Sequence, residues 1–513
     1  MRKIIFLLVT VLTFFSCDKQ FGKLLEDPSL PSPSSADVDL YLNNAQIGFA
    51  NFFSRYDAVG NINGASDFGA QITRMESAAT GSTYQEVYSG ENFDDLWRNG
   101  YEETIKNLNA MFPLAVQQKK YTHAGIGKIL KAYTLITLVD FFGDVPYKEA
   151  NLGSENTNPA ADKGKDVYDS AINLLTSAIA DMQKASSAVP ANDIFYGGSK
   201  AKWTTLAKTL QLKAYIQTRL TDANAKTKIQ ALLTENNLVD AADGSEDFQF
   251  QYSTKDQAPD SRHPKFINNY GTGQGASDYI GTHIMWMMNG GEKGIADPRI
   301  RYYFYRQTTD IQAAVPSPAN FQFTIPCFFR ARPSHYPASM PYCLADPGYI
   351  GRDHLNKEGI PPDNQLRTTF GVYPSGGKFD NDDNTAAGPL DGAKGAGILP
   401  MWIASFTEFV KAEAVLTLAT TGDARASLKS AIEKSFSKVF AFPAKVGVSV
   451  PTARVPSATS QTNYINNVLA SYDAATTTGD KLNVIMKEWY LASWGNGVEP
   501  YNFYRRTGKP DNL

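Results

Sequence analysis

Histidine and cysteine are scarce, five of the first and three of the second in 513 residues. His123, His263, His283, His335 and His354 stand singly, so the H-E-x-x-H pattern that puts two zinc ligands on one helix face is missing. Each of the five reads as a surface or satisfied core residue. The chain also lacks a C-x-x-C, a G-x-S-x-G nucleophile elbow and a G-K-[ST] phosphate loop. Gly271-Thr272-Gly273-Gln274-Gly275 has neither the spacing nor the preceding strand of a dinucleotide fingerprint. Asp380, Asp382, Asn384 and Asp391 fall at positions 1, 3, 5 and 12 of an EF-hand-like loop. Thr385 stands where that loop needs glycine and the bidentate Glu is missing, so the stretch reads as a solvated loop and no metal is assigned. Excess positive charge is absent too. The formal net charge is −3, with no basic cluster, which leaves no electrostatic footprint for nucleic acid.

Long apolar runs are absent except at the start. Met1-Arg2-Lys3 precedes a run from Ile4 to Phe15 that only Thr10 and Thr13 interrupt. A short basic region before an apolar stretch of this size describes a secretory signal peptide, residues 1–16. The stretch falls short of the roughly 20 residues a spanning helix needs. Phe14-Phe15-Ser16 leads directly into Cys17, an arrangement that looks like a lipobox, in which the thiol is acylated. Two or three acyl chains, at about 0.8 kcal/mol per buried methylene, would hold the chain on a membrane. Residues 17–35 follow as a Pro/Ser-rich lipidated tether that buries nothing. The two remaining cysteines, Cys327 and Cys343, sit in one irregular region of an exported chain. They read as a disulfide, the alternative being two separate buried thiols.

Apolar residues make up 42% of the chain, enough for a large core. Helical periodicity runs from Ala36 to about Phe53 and from Phe93 to Phe112. Ile126, Ile129, Leu130 and Tyr133 follow the i, i+3, i+4, i+7 template of a one-faced helix, with small residues interleaved. Val167 to Met182 and Trp203 to Ala214 carry similar stripes, the second opened by Gly198-Ser199 as an N-cap. From about 243 to 399 Gly, Pro, Asn and Asp become frequent and aromatic clusters lose their period, which predicts a loop-rich lobe. Helices return over Trp402–Leu418, over Ala424–Phe440 behind Gly422-Asp423, and over Leu482–Tyr490 entered through Gly479-Asp480. The fold class is therefore mainly α: a tetratricopeptide-like scaffold of helix pairs, about 36–242 and 400–513, with the irregular lobe inserted.

Four motifs in order add a resemblance. Asp140-Phe141-Phe142-Gly143-Asp144-Val145-Pro146-Tyr147 looks like the FGDVPY signature of the SusD/RagB outer-membrane lipoproteins. Asp297-Pro298-Arg299 before an aromatic run resembles a second element, and Glu408 to Ala414 is similar to the family's E-x-x-x-x-A-E-A helix. The chain closes on Asn496-Gly497-Val498-Glu499-Pro500-Tyr501-Asn502-Phe503-Tyr504-Arg505-Arg506-Thr507-Gly508-Lys509-Pro510, which resembles the terminal N-G-x-E-x-W-x-D-x-R-R-T-G-x-P. Tyr501 replaces the Trp of that pattern and Phe503 its Asp, which leaves the role of that acid unassigned. These motifs read as structural: Gly143 and Pro146 would end a helix and set a turn. Glu413, inside an apolar helix, would pair with Arg505 or Arg506.

The resemblance implies an outer-membrane, cell-surface lipoprotein that works with a TonB-dependent, SusC-like transporter and captures an oligosaccharide or a peptide. It implies no enzyme and no cofactor. The pair of carboxylates a glycosidase needs, about 5–9 Å apart, carries no sequence signature of its own. A structural or adhesive surface lipoprotein is the alternative from another class. Glycan sites want exposed aromatic rings beside amide or acidic groups. Tyr84 and Tyr88, in an early loop with Gln85 and Glu86, and Tyr336 and Tyr342, between the two cysteines, are the candidate ligand contacts.

Overall fold

The computed structural model describes residues 37–55, 63–79, 81–271, 278–309, 327, 330–344, 346–358, 363 and 366–513. Cys17, the signal peptide and the tether lie outside the described residues, as do residues 272–275 of the glycine-rich run. The described body opens at Asp37, whose side chain caps α1 (Val38–Phe53) by accepting from Asp39 N at 2.9 Å. α2 (Ala65–Ile72), β1 (Glu76–Ala78) and the single turn α3 (Tyr84–Val87) follow. A π-helical stretch, Arg98–Lys106, then runs into α4 (Asn107–Gln117). Helix pairs build the scaffold: α5 (Tyr121–Phe142) lies on α6 (Gly164–Gln183), and α7 (Lys200–Gln217) packs on α6 and on α8 (Ala225–Glu235).

α5 departs from the one-faced helix that its stripe predicts. It is buried on nearly every side from Thr122 to Leu138. Two glycines explain the difference, because they let a neighbour close in on each flank. A Cβ at Gly125 would stand 2.8 Å from Met182 Cε of α6, and one at Gly127 would stand 2.6 Å from Met111 Cε of α4. With both flanks covered, the helix between them becomes core. α7 is likewise buried from Thr205 to Ala214 with few breaks.

β2 (Phe248–Gln251) leads out of the scaffold and β6 (Ile398–Trp402) leads back, and the two pair antiparallel, Phe250 opposite Leu399. Between them come α9 (Pro264–Tyr270), β3 (Asp278–Ile280), α10 (Thr282–Met288), β4 (Phe304–Tyr305) and β5 (Thr369–Phe370). The scaffold resumes with α11 (Ala404–Leu418) on α12 (Ala424–Lys445), then α13 (Ala458–Ala474), α14 (Thr478–Ala492) and α15 (Val498–Thr507). The molecule is mainly α, a tetratricopeptide-type array of helix pairs with an irregular segment between its two parts.

The expected caps hold at Ser199 and Asp423, whose side chains accept from Lys202 N and from Arg425 N and Ala426 N. The last stripe enters differently. Gly479 and Asp480 are already in the first turn of α14, and Thr477 is its N-cap, accepting from Asp480 N at 3.1 Å. Thr477 fits because its β-region backbone (φ −109°, ψ 158°) aims the hydroxyl at the third helical N–H.

The quoted motifs fasten elements to one another. Gly143, at φ +78°, ends α5, and its N–H donates to Val139 O. Glu413 takes both prongs of Arg506, Nε at 2.9 Å and Nη2 at 2.6 Å, and Arg219 lies 3.5 Å away. Burial opposes the charge on Arg506, yet Glu413 outweighs it and raises the guanidinium above its usual value. Arg505 is not the partner; it donates to the Asp140 carbonyl. Glu499 accepts from Lys213 at 2.6 Å, and Asp140 accepts from Asn502 at 2.7 Å and from Tyr168. Asp297 clamps Arg299, whose Nη1 reaches Ser435. Phe503 is fully buried against Trp489, ring centroids 5.0 Å apart, so an apolar contact takes the place of the acid.

The loop expected to be solvated is exposed at Asn381 and from Asp383 to Ala386, but its start is anchored. Asp380 is fully buried and takes Arg306 on both oxygens, and Asp382 accepts from Arg301 and Arg306. Three arginines, Arg454 included, neutralise this acidic run.

Candidate functional site

β1 and β3 pair antiparallel with Glu76 opposite Ile280, and Gly281 bridges in parallel to Arg352. Three distant stretches of chain, 74–77, 281–283 and 352–354, are thereby laid side by side. Ser77 Oγ donating to Asp353 O at 2.6 Å ties the outer two together. A small cleft opens along them, with His335, Tyr336 and Met340 from the loop between the cysteines forming another wall. Cys327 and Cys343 are joined, Cα atoms 5.5 Å apart, and close that loop.

Of the four tyrosines named from the sequence, one lines this cleft and the other three pack on residues that do. Tyr336 lines it and is only 9% exposed. Tyr342 meets it edge-on, centroids 5.5 Å apart, and its hydroxyl accepts from Asn356. Tyr84, 58% exposed, stacks with Tyr88 at 6.0 Å and 25°. His354 joins the two to the cleft, 5.7 Å from Tyr84 and 6.3 Å from Tyr88. A capping box between Thr83 and Glu86 holds the turn that carries Tyr84. The result is a row of rings at the rim, with Tyr84 its most exposed member.

The histidines correct the sequence reading. Singly spaced in the chain, His283, His335 and His354 all line this one cleft. His335 Nε2 meets Asp353 Oδ2 at 2.9 Å. Among the described residues, both ring nitrogens of His283 and of His354 are buried without a partner, as is the hydroxyl of Tyr88. Burial pulls the His283 and His354 imidazoles down to about 4, with Arg74 adding to the effect, so both are neutral at pH 7. A neutral imidazole offers one donor and one acceptor. Of the other two, His263 caps α9 and His123 bonds Asp39, the structural roles expected of them.

The cleft's two carboxylates are already engaged. Asp353 bonds His335 and its neighbour's amide. Glu76 belongs to a buried cluster behind the cleft, in which Lys265 reaches Glu76, Asp278 at 3.3 Å and Asp67 at 3.5 Å. Three carboxylates share that one lysine. Burial and mutual repulsion raise Glu76 well above its ordinary value and lift Asp67 to about 6, against the pull of Lys265. Aromatic surface, neutral hydrogen-bonding groups and fixed charges facing one opening suit reversible binding of a polar ligand with flat faces. The rings could be picked from the sequence. The histidine cluster could not, because strands of two to five residues assemble it and carry no periodic signal.

Residues 32–315 match the family model described as "Starch-binding associating with outer membrane", and residues 393–513 match that of the "Susd and RagB outer membrane lipoprotein". No curated protein matches the chain at a significant level. Among solved structures, a SusD homologue of Bacteroides fragilis superposes over 93% of this chain and 89% of its own, at 17% identity and a TM-score of 0.64. A SusD/RagB family protein of Bacteroides thetaiotaomicron covers 92% and 88%, at 19% identity and 0.62. A chitin-binding SusD homologue of Flavobacterium johnsoniae covers 92% and 87%, at 18% identity and 0.59. Identities this low establish likeness of fold.

Proposed function

The chain belongs to the SusD/RagB family of outer-membrane lipoproteins, and on that premise we propose that it captures an oligosaccharide in the cleft between Arg74 and His354. It then passes the ligand to a TonB-dependent, SusC-like transporter and performs no chemistry of its own. The observation that carries this reading is the meeting of the rim aromatics, His354 and the Arg74 guanidinium at one cleft. The rings offer stacking surface for the apolar face of a pyranose, and the half-buried Arg74 guanidinium offers donors for its oxygens. That one relative of this fold is described as chitin-binding favours a glycan over a peptide.

The same reading places acyl chains on Cys17 and the body outside the cell, above the transporter. No described helix is long and apolar enough to cross a membrane, which fits attachment by lipid. Two experiments test it. Calorimetry and glycan and peptide arrays on residues 18–513 should find an oligosaccharide whose affinity falls in His354→Ala; a ligand indifferent to that change would move the site elsewhere. Tagged chain drawn from detergent-solubilised outer membranes should bring a transporter barrel with it, and Cys17→Ala should leave the membrane fraction while staying folded. A membrane-bound Cys17→Ala would rule out the anchor.

A further inference from the structure

One charge in the cleft has nothing to meet. Arg74 is half-buried in the wall, and among the described residues it is the one arginine whose guanidinium touches no carboxylate, carbonyl or aromatic ring. The other charges of the wall are accounted for. Lys265 holds Glu76, Asp363 holds Arg352 on two nitrogens, and His335 holds Asp353. Among the described residues, Arg74 is therefore the one charged group of the wall without a direct partner.

The backbone at the same residue is unusual. Arg74 sits at φ +60°, in the left-handed region that non-glycine residues seldom enter. Such conformations persist where the surroundings dictate them and gather at ligand-binding positions. Here the turn after α2 and the bond from Gly281 N to Met75 O set the geometry. A guanidinium presents a planar fork that matches a carboxylate with two parallel hydrogen bonds, a fit that neutral hydroxyls do not provide.

Resting on the reading that the cleft captures an oligosaccharide, we infer that the oligosaccharide is acidic: a uronate-bearing sugar whose carboxylate pairs with Arg74 while a neighbouring ring stacks on the Tyr84–Tyr88 pair. The pairing carries a proton signature. Burial, then the Arg74 charge, holds the His354 imidazole down, with Asp353 opposing. His283 feels burial first, with Arg74 and Lys487 lowering and Glu292 and Asp353 raising it. A carboxylate set against Arg74 offsets its charge, so both imidazoles become easier to protonate. Binding should then take up protons as the pH falls from 7 to 5.

The test applies the lipid-free chain to an array of neutral fragments (chito-, malto- and xylo-oligosaccharides), acidic fragments (oligogalacturonates and hyaluronan and heparin fragments) and acidic peptides. Wild type is compared with Arg74→Gln and Arg74→Lys, and melting temperatures check the fold. The expected result is binding of an acidic fragment, weakened about thirtyfold or more by Arg74→Gln and partly restored by Arg74→Lys. Esterifying the carboxylate should match the loss, and calorimetry in two buffers at pH 5.5 should show proton uptake. Neutral fragments bound equally by wild type and Arg74→Gln would overturn the acidic ligand and leave glycan capture standing. Acidic peptides bound in place of glycans, or silence across the array, would overturn both.

Discussion

Glu413 should be among the residues the fold can least spare. Its carboxylate is fully buried and stands between two guanidinium groups, both prongs of Arg506 and the nearby Arg219. Glu413→Gln leaves both cations in place with the charge between them gone. Gln217 still accepts from Arg506 at 2.9 Å, and Thr417 from Arg219 at 3.3 Å, but both acceptors are neutral. Breaking a buried pair in this way costs about 3–5 kcal/mol. The internal control is Arg425–Asp473, which has equally good geometry at 2.8 Å with both side chains about half exposed. Asp473→Asn should barely move the midpoint, because water and salt screen that pair. Urea unfolding followed by tryptophan fluorescence reads the difference, since Trp489 lies against the Arg506 guanidinium, 5.4 Å from ring centroid to Cζ. The double change Glu413→Met with Arg506→Met removes the unmatched charge and should recover part of the loss, although Arg219 remains. Equal midpoints for Glu413→Gln and Asp473→Asn would refute the view that this pair fastens α15 to α11.

Three further outcomes follow from geometry. Tyr84→Ala should leave the melting temperature unchanged and weaken oligosaccharide binding about three- to tenfold, whereas Tyr336→Ala, at a nearly closed position, should lower both; calorimetry beside thermal melting separates them. Asp67 titrates near 6 in the folded chain, above its ordinary 3.8. The stability it confers is therefore complete below about pH 4 and lost as the pH rises through 6. Asp67→Asn should exceed wild type by about 1–3 kcal/mol at pH 7, a gap that closes by pH 4 in urea titrations. Gly127→Ala pushes a methyl into Met111 and Leu108 and should destabilise by about 1–3 kcal/mol by the same measurement; a neutral result would mean that α4 can move away.

How legible the molecule is in its sequence depends on how far apart the interacting residues lie. Local signals carry well: the stripe of α1, the N-caps at Ser199 and Asp423, and the glycine that ends α5 are each set within a few residues. Motif order brings Glu413 near the C-terminal arginines, but only packing selects Arg506 over Arg505. The faces of α5 and α7 mislead, because a stripe records the most apolar side and says nothing of neighbours that cover the others. Anchoring of Asp380 was likewise hidden, since Arg301 and Arg306 lie more than seventy residues earlier. In the cleft the aromatic rings announce themselves by composition. Arg74 and the histidines acquire meaning only when β1, β3 and the Gly281–Arg352 bridge draw together residues as much as 280 positions apart, the reach from Arg74 to His354.

The antiparallel pairing of β2 with β6 has a consequence for how such a molecule can diversify. Chain leaves and re-enters the helical array at one seam, so the scaffold feels the stretch between them as a single closed loop. The entropy of closing a loop rises only with the logarithm of its length, about 0.6 kcal/mol for each doubling. Residues can thus be gained, lost or reshuffled beyond the seam at little expense to the array. The cleft straddles this division: Arg74 and Ser77 come from the durable side, and His335, Tyr336 and His354 from the changeable one. On the proposed reading, half of the recognition surface is thereby kept constant while the other half is free to be rewritten for a new sugar.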